Sequence, residues 1–260
     1  MVVIGAALTL FACALSDGGV VALEVTDGSV QDASFVDAPG DDAATASDAG
    51  ADASSDASAC ATTCPSGFAC NKDVCADDAA RAFVTNDNPS GNWRYLHLLL
   101  DAGALTYPTE WRPDDSGVVM WSPAAGTDTP FVGENLTDQI AHPFGTTSYP
   151  PHAFAAHPAS DGSWSVVRWT APTSASYTVH LHASGASYDA HPTTTDVHIF
   201  KNGTELAVGY VNVDGGTNDV FFPPASAAFA AGDALDVRVA FGNGDYSFDS
   251  TVLDLVITTP

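Results

Sequence analysis

The stretch Tyr177-Thr-Val-His-Leu-His-Ala183 decides the fold, because its apolar and polar side chains alternate one by one. Successive side chains of an extended chain point to opposite faces, so its four odd-numbered residues share one face. Thr178, His180 and His182 then share the other face. The stretch therefore predicts a strand with one buried face and one solvated face.

The same alternation recurs in Leu235-Asp-Val-Arg-Val-Ala-Phe241 and in Leu253-Asp-Leu-Val-Ile257. Between strands predicted over 196–201 and 206–210 stands Asn202-Gly203, the dipeptide best suited to a two-residue type I′ turn. No long amphipathic helical pattern follows residue 81. We therefore predict an all-β protein whose residues 81–260 form a jelly-roll-like β-sandwich.

The middle of this domain, from Tyr107 to Asp161, is crowded with proline, glycine and aromatic residues. We expect long loops with short strands, folded over one end or face of the sandwich. Long loops held on a rigid sheet commonly carry function, so candidate binding residues are sought here.

The N-terminus carries an export pattern. Residues 2–12 form an apolar run of signal-peptide length, too short to span a bilayer as a helix. Leu10-Phe-Ala-Cys13 resembles the bacterial lipobox, although Phe11 is bulky for its position and no cation precedes the run. We expect residues 1–13 to be a lipoprotein signal peptide and Cys13 to be lipidated. The alternative is an N-terminal strand or buried segment that holds an ordinary cysteine.

The other four cysteines stand together in a short segment, predicted over 60–80, at Cys60, Cys64, Cys70 and Cys75. This segment is too small to bury a core, so we expect two disulfides to hold it. Three pairings are open. A four-thiolate zinc site is the rival, disfavoured by the absence of paired C-x-x-C spacing.

Charge separates the chain into two kinds of sequence. There are 32 acidic residues against 7 basic ones, an excess that repels phosphate backbones and argues against nucleic acid as a partner. Residues 14–59 are predicted to be a disordered linker, because 37–59 use almost only Asp, Ala, Ser and Gly.

The expected location is the cell envelope, at the outer membrane or cell surface, with membrane contact only through the lipid.

Several short stretches resemble a jelly-roll module of secreted proteins of myxobacteria and planctomycetes. They are Asn88-Pro-Ser-Gly-Asn-Trp93, Ser165-Val-Val-Arg-Trp-Thr-Ala-Pro172, Thr195-Asp-Val-His198, Ala231-Gly-Asp233 and Gly242-Asn-Gly-Asp-Tyr246. Cys64-Pro-Ser-Gly-Phe-Ala-Cys70 likewise resembles small modules of myxobacterial surface lipoproteins. The resemblance implies a carbohydrate-binding-like or galactose-binding-like sandwich of unassigned function. It brings no catalytic set.

Four loop residues, Trp111, Trp121, Tyr149 and His152, are the candidate ligand-binding set. Flat rings stack on the C–H faces of sugars, and imidazole pairs with hydroxyls. The alternative for each ring is core packing.

Core packing is the expectation for Trp93, Trp164 and Trp169, which stand in predicted strands.

Two metal sites are considered. His180 and His182 point the same way on one strand and His198 is expected on a neighbouring strand, so a metal site is geometrically possible, but a solvated face is the favoured explanation.

Asp87, Asp249 and Asp254 lie near the ends of the domain and are candidate ligands of a structural Ca²⁺. No other cofactor is expected.

The sequence thus favours a non-catalytic binding module whose ligand is a glycan, with polysaccharide as partner. The alternative is a structural or adhesive surface protein that binds another envelope protein. A polysaccharide-active hydrolase comes third: Glu134, Asp138 and Asp161 supply carboxylates, but no G-x-S-x-G elbow is present.

Overall fold

The computed structural model describes residues 60, 63–71, 73–84, 87–99, 104–106, 109–111, 117–123, 130–186, 192–212, 218–242 and 244–260, with the backbone alone for 104–106 and 109–111. The predicted signal peptide, Cys13 and the predicted linker lie outside the described residues. The fold described below belongs to the unit Ser54–Pro260.

The described chain is built almost entirely from strands. In order these are β1 (Ala69–Asn71), β2 (Val74–Asp78), a short helix α1 (Ala79–Ala82), β3 (Trp93–Leu99), β4 (Ala104–Thr106), β5 (Thr109–Trp111), β6 (Val118–Ser122), β7 (Phe131–Asn135), β8 (Phe154–His157), β9 (Trp164–Thr170), β10 (Ala175–Gly185), β11 (Thr195–Lys201), β12 (Thr204–Val211), β13 (Asp219–Phe229), β14 (Ala234–Ala240) and β15 (Thr251–Thr258). Within the described part, no helix has the length and apolarity to cross a bilayer.

Two antiparallel sheets pack face to face. The nine-stranded sheet runs β1-β2-β15-β8-β7-β6-β5, with β10 paired to the other edge of β15 and β13 paired to β10. The six-stranded sheet runs β12-β11-β14-β9-β3-β4. The predicted all-β sandwich is confirmed.

Alternation along the strands fills the space between the sheets. In β10 the side chains of Tyr177, Val179, Leu181 and Ala183 are buried in the main core, as predicted. The corresponding residues of β14 and β15 pack against them: Leu235, Val237, Val239, Leu253, Leu255 and Ile257. Burial of this apolar set, at roughly 25 cal/mol per Å² of surface removed from water, is the main force that holds the sheets together.

The predicted hairpin joins β11 to β12. Asn202 and Gly203 have φ of 49° and 80°, the two positive values that a type I′ turn requires, and Lys201 pairs with Thr204 across it. The hairpin predicted from Asn202-Gly203 is therefore confirmed.

The middle region differs from the sequence expectation. Strands β6, β7 and β8 belong to the nine-stranded sheet and are buried on both faces. Their alternation is lost because the chain over 136–153 folds across their outer face and forms a second apolar cluster. Its members are Val118, Met120, Phe131, Ala141, Tyr149, Ala153, Ala155 and Ala186.

Two disulfides hold the cysteine segment, as predicted, and they join Cys60 to Cys70 and Cys64 to Cys75. Three of these sulfurs lie close enough for a metal, but they are consumed by the disulfides, so the zinc alternative is wrong.

The cysteine segment is also continuous with the sandwich. Strand β2 pairs with β15 over Ala76–Asp78, and Asp77 reaches into the core. The sequence expectation of a separate segment ahead of the domain therefore differs from what is found.

Candidate ligand-binding pocket

The four residues predicted to bind ligand do not form one site. Trp121 packs in the main core at 7% exposure, and Tyr149 is fully buried in the second cluster, where its hydroxyl donates to Ser250 Oγ at 3.1 Å. Neither ring can stack on a ligand, so these two assignments are wrong. Both lie in or over strands that are buried on two faces, where a large ring stabilises packing.

The remaining two differ from them. His152 is exposed, and its Nε2 lies 2.9 Å from Oδ1 of Asp138. Trp111 ends β5, and its side chain lies outside the described residues.

An aromatic pocket of about 260 Å³ lies instead where two loops meet the ends of β7 and β8. One loop supplies Phe144, Thr146 and Thr147, and the other supplies residues 246–248 and Ser250. Phe131 from β7 and His157 from β8 form its base.

Local hydrogen bonds shape the second loop. Asp245 Oδ1 accepts from the Ser247 backbone N–H at 3.0 Å, and the Asp249 N–H donates to the Tyr246 carbonyl at 3.2 Å. Between them Phe248 has φ of 68°, an uncommon conformation for a bulky residue. Residues in strained backbone conformations cluster at active sites and ligand-binding sites, and Phe248 lines this pocket.

Four rings follow one another along the pocket. Phe144 contacts Phe131 with centroids 5.6 Å apart, and Phe131 stacks on the His157 imidazole at 5.3 Å. Tyr246 meets His157 edge to face at 6.1 Å. Phe131 and His157 are buried, whereas Phe144 and Tyr246 are half-buried. The two half-buried rings present aromatic surface at the mouth.

The imidazole of His157 is fixed in one orientation. Its Nδ1 lies 2.5 Å from the Pro158 carbonyl oxygen, and because a carbonyl only accepts, Nδ1 carries the proton. His157 therefore contributes a rigid ring to the wall.

The polar lining consists of hydroxyl groups from Thr146, Thr147, Ser247 and Ser250. Thr147 is 2% exposed, and its Oγ1 is buried with no hydrogen-bond partner. A buried hydroxyl without a partner costs about 1–3 kcal/mol, and this one lies in the wall of the pocket.

Asp249 stands between two lining residues, but its side chain turns away from the cavity. Its Oδ1 accepts from the Thr194 backbone N–H at 2.8 Å and from Thr194 Oγ1 at 3.2 Å, while Oδ2 has no partner. Burial is the largest cause that raises the pKa of this carboxyl to about 7. The described lining itself contains no Lys, Arg, Asp or Glu.

The predicted calcium ligands do not meet. Among the described residues, the only group of three His, Cys, Asp or Glu with ligand atoms within 4.8 Å of one another is formed by cysteines. Asp249 is buried beside Thr194, Asp254 lies exposed on β15 opposite His182, and Asp87 is exposed before β3. Proximity to the chain ends does not bring their oxygens together.

The three histidines considered as metal ligands do not lie together either. His180 and His182 share the outer face of β10 as predicted, where His182 stacks on Phe221 at 3.9 Å. His198 lies on the other sheet, where its Nε2 is 2.8 Å from Asp196 Oδ2 and its Nδ1 is 3.1 Å from Glu205 Oε2. Its ring stacks on Trp164 with the ring centroids 5.0 Å apart.

Of the three strand tryptophans expected in the core, Trp93 and Trp169 are fully buried, whereas Trp164 is only half-buried.

Sequence reasoning missed Phe131, Phe144, His157, Tyr246 and Phe248 as one set. Tyr246 and Phe248 do carry a signal: they are aromatic residues inside the turn-forming stretch Gly242–Asp249, where packing in a strand does not require them. Their meeting with Phe131, more than a hundred residues earlier, depends on the fold.

Comparison with known proteins identifies no family. No family model matches the chain, and no curated protein matches it.

Solved structures give distant likenesses, among them carbohydrate-binding modules. CBM51 from Clostridium perfringens GH95, solved with methyl-galactose, is 13% identical with a TM-score of 0.29, over 43% of this chain and 72% of that one. CBM35 from Paenibacillus barcinonensis is 16% identical with a TM-score of 0.27, over 58% and 98%. A family 35 module from Clostridium thermocellum is 12% identical with a TM-score of 0.25, over 59% and 98%. At these values the likeness carries no argument about what this chain binds.

Proposed function

We propose that this chain is a non-catalytic binding module that holds a neutral saccharide in the loop pocket. The observation that carries the proposal is the row of rings Phe144, Phe131, His157 and Tyr246, lined by hydroxyls. Sugars have apolar C–H faces that pack on rings, and their hydroxyls exchange hydrogen bonds with Thr and Ser.

The size of the pocket limits the ligand. A cavity of about 260 Å³ lies just under the range of roughly 300–1,000 Å³ that is usual for small-molecule sites. One sugar ring, such as the end of a glycan chain, therefore fits better than an internal stretch of polymer.

The charge around the pocket selects a neutral sugar. The described lining offers no cation that could pair with a carboxylate or sulfate, and the chain as a whole has a formal net charge of −25. A uronic or sulfated sugar would lose hydration without gaining a partner, so it should bind more weakly than a neutral one.

The pocket is tested by binding measurements on paired variants. A glycan array identifies the preferred neutral sugar, and calorimetry compares the wild type with Phe144→Ala, Tyr246→Ala and Thr147→Val. Loss of one stacking ring should weaken binding about 3- to 10-fold. Phe221→Ala is the matched control, because Phe221 is 70% exposed and lies away from the pocket. An array without neutral ligands, or equal weakening by Phe221→Ala, would contradict the proposal.

We also propose that the module is exported and anchored by lipid on Cys13. The two disulfides support export, because such bonds persist in oxidising compartments. Labelling with a radioactive fatty acid in a bacterial host tests the anchor: label on the wild type and none on Cys13→Ser is expected.

A second candidate function, adhesion to an envelope protein, is favoured by one observation. Edge strand β12 leaves Val208 and Tyr210 at 37% and 52% exposure on one face. Such a patch suits a protein partner. Capture of an envelope protein that is lost on Val208→Asp, with glycan binding unchanged, would establish it.

A further inference from the structure

A second cavity, of about 530 Å³, lies on another part of the domain and is independent of the saccharide pocket. One side is formed by Glu134 of β7 and by the turn Pro150–Ala153, and the other by α1 and residues 252–255 of β15. We call it the Glu134 groove.

The sheet topology opens this groove. One edge of β15 pairs with β8 at Thr251 and Val252 and with β2 from Val256 to Thr258. Residues 253–255 between these two pairings face neither strand on that edge. The gap between β8 and β2 therefore exposes the side of the sheet next to Glu134.

Glu134 is 7% exposed, and its carboxylate lines the groove. Its surroundings contrast with those of Asp77, another buried acid of the nine-stranded sheet. Burial of Asp77 is offset by hydrogen bonds from Asn92, Trp93 and Trp169. For Glu134 burial raises the pKa to about 7, and among the described residues it is the charge of His152 that opposes this rise.

Charged groups approach the groove from each element around it. Asp78 caps α1 through Oδ1, which accepts from the backbone N–H groups of Ala80 and Arg81, and its charge further raises the pKa of Glu134. Asp254 lines the groove from β15, and His152 lines it from the loop while it contacts Asp138. Three carboxylates face two basic side chains, Arg81 and His152, so the groove favours a cationic group.

The geometry argues for an ammonium rather than a metal ion. A Ca²⁺ ion takes 6–8 oxygen ligands at about 2.3–2.6 Å. In the described part of the chain no three carboxylates have oxygens within 4.8 Å of one another. An ammonium needs only a few directional acceptors, and one buried carboxylate with others at the rim supplies them.

We propose that the Glu134 groove binds the primary ammonium group of a ligand, with Glu134 as the buried acceptor and Asp78 and Asp254 at its rim. The ammonium would supply Glu134 with a counter-charge and with N–H donors. Pro150, Pro151 and Phe154 supply apolar surface for the carbon chain next to it.

The test is an NMR titration of the full chain with 1,5-diaminopentane, and with 1,5-pentanediol as the uncharged match. At pH 8 the diamine should cause saturable shifts at Glu134, His152 and residues 252–255, and the diol should cause none. Glu134→Gln keeps the shape and should weaken binding at least about tenfold, as expected when a charged hydrogen-bond partner is lost. Asp254→Asn should weaken it less.

Asp73→Asn is the matched control, because it removes one exposed charge from the β1–β2 turn, where φ of 68° suits Asn. It should leave the affinity unchanged. Equal binding by the diol, equal binding by Glu134→Gln, or shifts spread over the acidic surface would overturn the proposal. Displacement of the diamine by Ca²⁺ at equal concentration would also overturn it, since the site would then be a metal site. Because the groove and the saccharide pocket share no residue, failure of either proposal leaves the other testable.

Discussion

The indole Nε1 of Trp169 donates a hydrogen bond of 2.9 Å to Oδ2 of Asp77, which lies 92 positions earlier. Trp93 Nε1 donates to Oδ1 of the same carboxylate at 2.6 Å. Asp77 belongs to β2 of the nine-stranded sheet, and both tryptophans belong to the six-stranded sheet. One buried carboxylate therefore ties the cysteine segment to the opposite side of the sandwich.

Replacing Asp77 should destabilise the domain strongly. Asp77→Ala leaves two buried indole N–H groups without acceptors, and each such group costs about 1–3 kcal/mol. Urea unfolding should show a lower midpoint with an unchanged slope. An Asp77→Ala variant as stable as Asp73→Asn would show that the bridge contributes nothing.

Reduction of the disulfides should also lower stability. Each closes a loop of 10 or 11 residues, for which a crosslink typically contributes about 2–4 kcal/mol. Thermal unfolding with and without a reducing agent measures the loss. Cys64→Ser with Cys75→Ser should account for a large share of it, because Cys75 is buried in β2. Identical melting curves for oxidised and reduced protein would be inconsistent with a segment that is part of the sandwich.

Acid should stabilise this domain over part of the pH range. Burial raises the pKa of Glu134 from 4.5 and of Asp249 from 3.8, both to about 7. The folded state then holds protons that the unfolded state releases, so the stability these groups contribute is present below pH 4 and is lost as pH rises through 7. Melting temperatures measured from pH 4 to 8 should fall for this reason.

The variants Glu134→Gln and Asp249→Asn should each flatten that fall, whereas Asp73→Asn should leave it unchanged. A dependence on pH that is the same in all four proteins would assign it to other groups.

Trp121 provides a test that separates packing from binding. Trp121→Ala should cost about 3–5 kcal/mol, because a buried ring leaves a cavity in the main core. Trp121→Phe should keep the fold and bind glycan like the wild type, while Tyr246→Ala should keep the melting temperature and lose affinity. Calorimetric binding and thermal unfolding of the three variants decide this. If Trp121→Phe lost affinity for the glycan while Tyr246→Ala kept it, Trp121 would belong to the binding site.

The strand pattern could be predicted from sequence where one face of a strand is solvated, as in β10, β14 and β15. It could not be predicted for β6, β7 and β8, because the chain over 136–153 covers their outer face and removes the alternation. The hairpin at Asn202-Gly203 was predictable because a local dipeptide determines its backbone.

The proposed saccharide pocket was not predictable from residue type. Trp121, Tyr149, Phe144 and Tyr246 are all aromatic residues near turns or loops, and only the fold decides which are buried. The first two pack in apolar clusters, and the last two remain half-buried at the pocket mouth. Tertiary packing therefore determines which rings a ligand can reach.

The most direct measurement is an NMR titration of the wild-type chain with the neutral saccharide that ranks first on the array, with ring and methyl resonances assigned. Saturable shifts should appear at Phe144, Tyr246, Phe131 and Thr147, with none at Phe221. Shifts confined to Phe221 and its neighbours on β10, or no saturable shift with any neutral sugar, would contradict a saccharide site in the loop pocket.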